Sequence, residues 1–198
     1  MKCIIPAAGY GTRMGMKPNQ SKEMIKYQGK PMIQWSLDLC KMFDIEPLVI
    51  TRKEKKDLRQ YLFNAGIKFI DIEVEGEWND TVLKSREYWD FDNLLLLPDT
   101  RFDTLRCIKE IKQGLKLGNN AVMALHLVTD PTKWGIVENY KLYEKNKNFC
   151  GAFLAWGVIG FKNTYGQELF SKVECLELDN VGFTYLNKFK DLTRGDKK

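Results

Sequence analysis

Apolar residues along this chain fall in short unbroken runs: Cys3 to Ile5, Pro47 to Thr51, Leu94 to Pro98, Ala121 to Val128 and Gly151 to Phe161. Runs of this length without alternation predict strands covered on both faces, as in a mostly parallel sheet. The stretches between them carry helical spacing. Ile33, Leu37 and Cys40 share one face after Pro31, and Leu58, Tyr61, Leu62 and Ala65 share another before a stop at Gly66. "FDTLRCIKEIKQGLK" places Leu105, Ile108, Ile111 and Leu115 on one side, with Asp103 as N-cap. Strand and helix therefore alternate, which predicts an α/β fold with right-handed crossovers. Past Thr132 the texture changes, and "WGIVENYKLYEK" reads as a hairpin turning at Asn139-Tyr140 and lying across the sheet. With no repeat, linker or composition break, residues 1–192 are expected to form one domain, and residues 193–198 a frayed tail.

The chain has 198 residues, enough to bury a full core in one layered domain. A hydrophobic share of 44% and a charged share of 29% are ordinary globular values. The net charge of +5 is mild, and its cations are spread along the chain, which argues against nucleic acid and leaves small acidic ligands open. The densest cluster, Arg52-Lys53-Glu54-Lys55-Lys56, is broken by an acid and reads as a solvated helix start. Five cysteines without a C-x-x-C spacing suggest reduced thiols, several of them buried, in a cytoplasmic setting. The single histidine, His126, lies in the apolar run "AVMALHLV" and lacks the Cys/His neighbours of a zinc site, so it is expected to be structural. The opening residues are too short for a signal peptide, and no apolar run is long enough to span a bilayer.

Chemistry is concentrated in "AAGYGTRM". Ala7, Ala8, Gly9 and Gly11 leave little side chain to obstruct a ligand, and successive amides in such a turn form an anion nest. A third glycine is missing at Met14, so this is not the dinucleotide fingerprint, and no Gly-Lys-Ser/Thr follows to make a P-loop. Taken alone, the glycines fit a structural turn equally well. Arg13 beside them favours an anion, because a guanidinium fork matches phosphate oxygens.

From Gly9 to Ile33 the string resembles the sugar-1-phosphate nucleotidyltransferases, also called nucleoside-diphosphate-sugar pyrophosphorylases. Their pattern is G-x-G-T-R-[LM], then P-K-x-M-L-P-V, then x-K-P-[ML]-I. The chain matches it at Gly9, Gly11, Thr12, Arg13, Met14, Lys22, Met24, Lys30, Pro31 and Ile33. It departs at Ser21 and Lys26, where the family has prolines. The resemblance implies a single-domain Rossmann-like three-layer α/β/α fold with a mostly parallel mixed sheet. It also implies that Ala8, Gly9, Gly11, Thr12 and Arg13 hold the phosphates of an NTP while Lys22 neutralises the triphosphate. Transfer at phosphorus needs cations around the reacting group and little else from a protein, which agrees.

Two acids complete the expected site. Asp99 ends the buried run "NLLLLPDTRF", and a carboxylate past a strand's carboxyl end sits where ligands bind in open α/β sheets. The family's glycine-aspartate pair falls here, with Pro98 in place of the glycine, and its aspartate coordinates the metal. Mg²⁺ takes one or two carboxylates with phosphate oxygens and water, so a second acid is sought. Asp179, followed by Gly182 and Thr184, resembles a stretched form of the family's D-x-G-T segment and is expected to complete a site with Asp99. Asp103 competes but fits a helix cap better.

On the acceptor side, "DPTKWGIVENYKLYEKN" resembles the family's Tyr-Gly-Val-Val-Glu and Glu-Lys-Pro landmarks, with Asn146 in place of the last proline. By resemblance, Gly135 lines the sugar site, Glu144 contacts hydroxyls, Lys145 grips the acceptor phosphate and Gly157 marks the central glycine of the family strand. Trp156 stands where the family has a small residue, and it either narrows the pocket or serves as core. The base pocket aligns only through Thr81. Asp80 beside it either accepts from a base amine or caps a helix starting near Thr81.

The expected activity is Mg²⁺-dependent transfer of an NMP from an NTP to a sugar 1-phosphate, releasing pyrophosphate. Two alternatives stay open: a cytidylyltransferase acting on phosphocholine or another small phosphate monoester, and an inactive nucleotide-binding homologue. No nucleic acid or membrane partner is expected. Homo-oligomers are common in the family, and the oligomeric state is left open.

Overall fold

The computed structural model describes residues 1–11, 14–17, 19–73, 78–101, 105–144, 147–171, 175–186 and 190–191. The chain opens with β1 (Lys2–Pro6), the small ladder of β2 (Lys26–Tyr27) and β3 (Lys30–Pro31), α1 (Met32–Met42) and β4 (Glu46–Thr51). Next come α2 (Lys56–Asn64), β5 (Phe69–Asp71), α3 (Trp78–Lys84), β6 (Asp92–Leu96), β7 (Thr100–Arg101) and α4 (Leu105–Lys116). The remainder comprises β8 (Ala121–Val128), β9 (Gly135–Glu138), β10 (Lys141–Glu144), β11 (Phe153–Lys162), α5 (Asn163–Leu169), β12 (Cys175–Glu177), β13 (Val181–Tyr185) and β14 (Lys190–Asp191).

The main sheet runs β5-β4-β1-β6-β11, continues through β8 to β13, and carries β9-β10-β12 as a branch from β11. β1 pairs in parallel with both β4 and β6, and β13 in parallel with β8. β11 is antiparallel to both β6 and β8, so those two strands point the same way. This is the expected mostly parallel mixed sheet.

Alternate residues of each strand feed opposite faces, and the two hydrophobic clusters follow that rule. Cys3, Ile5, Val49, Leu94 and Leu96 face α1, α2 and α4 through Ile33, Leu37, Leu58, Leu62, Ile108 and Ile111. Ile4, Leu48, Ile50 and Leu95 face the other way onto Val82 of α3 and Tyr165 and Leu169 of α5. Three layers result, and the unbroken apolar runs are explained because both sheet faces are covered. The expected hairpin forms from β9 and β10, with Asn139 and Tyr140 at positive φ (49° and 56°) at its tip.

Among the described residues, no helix is long and apolar enough to cross a membrane. Cys3, Cys40 and Cys107 are buried and Cys150 and Cys175 exposed, all as free thiols. The expected cap Asp103 lies outside the described residues.

Candidate functional site

Strand direction brings the chemistry to one edge. Because β1, β4 and β6 are parallel, their carboxyl ends deliver Ala7–Gly11, Arg52–Lys55 and Asp99 to the same side of the sheet. Antiparallel β11 begins on that side, with Val158 opposite Leu96 and Lys162 opposite Asp92. Trp156 and Gly157 therefore lie there too, and Gly157 falls at a shift of register against β8.

In the glycine turn, Ala8 is buried and Gly9 is exposed. Gly11 adopts φ +67°, a conformation other residues resist, and its carbonyl accepts from the amides of Met14 and Met16. Thr12 and Arg13 lie outside the described residues. Lys22 opens a 3₁₀ turn (Lys22–Met24), and its ammonium donates to Asp99 Oδ2 at 2.6 Å. Both side chains are partly covered, at 23% and 16% exposure, so the pair is neither a screened surface contact nor a fully desolvated one. A cation and a carboxylate 77 positions apart thus meet at the mouth of the sheet. At the family's proline position, Ser21 donates to Asp57 Oδ1 at the start of α2, anchoring this turn by a different means.

The structure does not bring Asp99 and Asp179 together, and the expected two-acid cluster is corrected. Asp179 is exposed and precedes β13, whose Val181 pairs with Ala121 of β8. Ala121 in turn pairs with Phe161, and Phe161 with Asn93 at the start of β6. Asp179 is therefore at the amino edge, its carbonyl accepting from Asn120 Nδ2 at 3.2 Å. At about 3.3 Å per strand residue, Asp99 is on the order of 20 Å away. Gly182 and Thr184 are likewise absorbed by packing. A Cβ on Gly182 would meet the Asn119 side chain, and Thr184 Oγ1 bonds Glu110 of α4. Among the described residues no group of three His, Cys, Asp or Glu gathers. The carboxyl edge does receive the chain again after β13: β14 pairs with β7, setting Asp191 opposite Thr100, the neighbour of Asp99.

The acceptor landmarks meet closely. Glu144, at the end of β10, pairs with Gly135 at the start of β9. Trp156 Nε1 donates to Glu144 Oε1 at 2.9 Å, and both atoms crowd Gly135 so closely that a Cβ there would collide with them. Trp156 is buried and its ring lies 5.2 Å from that of Trp78. Trp78, Glu144, Asn79, Leu142 and Phe170 line a small cavity of about 20 Å³. Lys145 and Asn146 lie outside the described residues. Thr81 is buried in α3, which begins at Trp78, so neither Asp80 nor Thr81 caps it.

Two cations of the 52–56 cluster correct the expectation of a solvated helix start. Arg52 is buried against the Tyr10 ring, 3.6 Å from its centroid. Lys55 is fully buried, donating to Glu23 Oε2 at 2.7 Å and to the Ala7 carbonyl at 2.6 Å. Burial pushes the Glu23 carboxyl above its usual range, opposed by the charges of Lys55 and Lys22. The same burial pushes Lys55 down, opposed by Glu23. Composition held one signal for this pair: Glu23 is a lone acid among Lys22, Lys26 and Lys30.

His126, in β8 opposite Ala155, stacks edge-on with Trp134 at 5.1 Å. Burial lowers its pKa to about 4, only partly offset by the Ala155 backbone. The folded protein thus keeps His126 neutral where the unfolded chain protonates it. The stability this preserves is complete above about 6.5, the unfolded value, and is lost as pH falls from there towards about 4. The full window is worth at most ~3 kcal/mol. In thermal melts, His126→Gln should lose less midpoint than the parent between these two pH values. Parallel slopes would remove His126 as the cause.

Comparison with known proteins finds the same α/β fold among nucleotidyltransferases. Residues 3–79 match the MobA-like NTP transferase domain. The chain is 25% identical over 98% of its length to the bifunctional protein GlmU of Thermosipho africanus, of which it spans 47%. Its fold superposes with TM-score 0.77 on a Bacillus anthracis structure described as a glucose-1-phosphate thymidylyltransferase and solved with sucrose. That match has 20% identity and covers 96% of this chain and 89% of that one. UDP-glucose pyrophosphorylase from Acinetobacter baumanii gives 0.72 at 17% identity, covering 96% and 88%. The chain is thus similar to nucleotidyltransferases that act on sugar phosphates, and it spans less than half of the curated GlmU proteins it matches.

Proposed function

We propose that this protein transfers a nucleotidyl group from an NTP to a sugar 1-phosphate, releasing pyrophosphate. The observation that carries this reading is the Lys22–Asp99 pair beside the Ala8–Gly11 turn, at the carboxyl edge of a parallel sheet. The turn amides and Arg13 bind the β- and γ-phosphates, and Lys22 offsets the charge that builds on the departing pyrophosphate. An oxygen of the acceptor phosphate attacks the α-phosphorus while the bond from the α-phosphorus to the bridging oxygen breaks. No side-chain base is required, because a phosphate monoester is already anionic at neutral pH. Lys145 and Glu144 hold the acceptor, and much of the rate comes from that alignment.

Mg²⁺ fits the residues present. Asp99 is a carboxylate within reach of a phosphate-binding turn, and Mg²⁺ asks for few protein ligands when phosphates supply the rest. Bound there, it would neutralise phosphate charge and polarise the reacting phosphorus. A second protein oxygen would come from Asp191, whose strand pairs with β7 next to Asp99, rather than from Asp179. Lys22 Nζ donates to Asp99 Oδ2, and with a metal held by Asp99 the Lys22 ammonium would be available to the triphosphate.

The indole of Trp156 favours a second reading of the acceptor. By engaging Glu144 and crowding Gly135 it reduces room for a hexose, and aromatic faces beside a carboxylate suit a small cationic phosphate monoester such as phosphocholine. An all-against-all screen of nucleoside triphosphates and phosphorylated acceptors, read by pyrophosphate release, tests both readings. Tight NTP binding without turnover over the whole panel would instead mark an inactive homologue.

Trp156→Phe keeps a ring in the core and removes the N–H donor to Glu144. A hydrogen bond to a charged group is worth about 1.5–3 kcal/mol. The KM for the acceptor should therefore rise at least ~10-fold with the KM for NTP unchanged. Equal shifts in both constants would contradict the acceptor role.

A further inference from the structure

The buried Glu23–Lys55 pair is unexplained by the reaction above, since neither side chain is exposed to a ligand. Stability is a weak reason for it. Desolvating two charges costs several kcal/mol per ion, and an apolar pair of like volume is often as stable or more so. Glu23 Oε1 is buried without a hydrogen-bond partner, a further cost. The pair's distinguishing feature is its third contact, the Ala7 carbonyl, the first peptide group beyond β1.

In a trans, planar peptide the carbonyl of one residue and the amide of the next point in opposite directions. No cis bond occurs among the described residues, so a clamp on Ala7 O sets the direction of the Ala8 N–H. The Ala7 amide is itself held by the Ile50 carbonyl at 2.8 Å, which fixes the preceding peptide plane. A charged donor on the carbonyl also strengthens the amide on the far side of the same group. Glu23 is the sequence neighbour of Lys22, so the carboxylate that seats Lys55 lies in the turn that presents Lys22 to Asp99.

We infer that Lys55 is a positioning residue that aims the Ala8 amide into the phosphate turn, with Glu23 holding it there, and that its ligand class is a nucleoside triphosphate. The ligand rests on the nucleotidyltransferase reading; the ordering of the turn does not.

The test is the double variant Glu23→Leu/Lys55→Met in the full chain, which removes both charges and the contact with Ala7 while keeping volume. Its melting temperature is expected to stay within a few degrees of the parent's. Hydrogen exchange of the peptide spanning Ala7 to Gly11, measured without nucleotide, is expected to accelerate at least tenfold, with β4 unchanged. Affinity for ATP, CTP, GTP and UTP with Mg²⁺, by calorimetry, should fall at least tenfold for whichever the parent binds. Parental exchange in the turn at matched stability overturns the inference. Should the double variant not fold, Lys55→Gln is read against the same two exchange outcomes. If the parent binds none of the four triphosphates, the nucleotide reading falls, while the exchange data still decide the role of Lys55.

Discussion

Replacing Lys22 by alanine is expected to lower turnover by about 10²–10³, the loss typical of removing one preorganised donor from developing negative charge. The fold should survive. Lys22 sits in a turn rather than the core, and its partner Asp99 retains access to water at 16% exposure. The loss should fall on kcat more than on the KM for NTP, because charge on the pyrophosphate is greatest as it leaves. Lys22→Met, which keeps the aliphatic stem, is the sharper form of the test. Steady-state pyrophosphate release from purified Lys22→Met at close to the parent rate would refute the assignment, and a melt on the same sample guards against misfolding.

The strands of the central sheet were readable because burial on both faces writes unbroken apolar runs, as in Leu94 to Leu96 and Ala121 to Val128. The same signal hid the direction of β11. An antiparallel strand buried on both faces has no alternation to mark it, so Phe153–Lys162 looks like its parallel neighbours. β5 was missed because it is a three-residue strand at the sheet edge with only partly buried side chains. Asp99 was legible because it sits just past a strand's carboxyl end, a rule that converts sequence position into place, whereas Lys22 came only from the resemblance of its motif. Asp179 misled because it too adjoins a strand, but at the wrong end. It precedes β13, and spacing along the chain does not distinguish the start of a strand from its exit. Lys55 was hidden by the opposite habit, since a run of mixed charges reads as solvent-facing until its partner Glu23, 32 positions away, is placed beside it.

This geometry makes the acids separable by mutation. Asp99→Asn keeps the shape of the side chain and removes its charge. It should depress turnover by at least ~10³, since the change weakens the hold on the metal that would neutralise phosphate charge. Raising Mg²⁺ from millimolar to tens of millimolar should recover part of that loss, because a weakened site fills by mass action. Asp179→Asn, on the opposite edge, should leave both turnover and Mg²⁺ dependence within about twofold of the parent, as surface substitutions usually do. Titrating Mg²⁺ against the rate in both variants checks the pair. An Asp179→Asn enzyme crippled in Mg²⁺ response, beside a normal Asp99→Asn, would move the reaction to the other end of the sheet. The Lys22–Asp99 contact would then be only a tie between two loops.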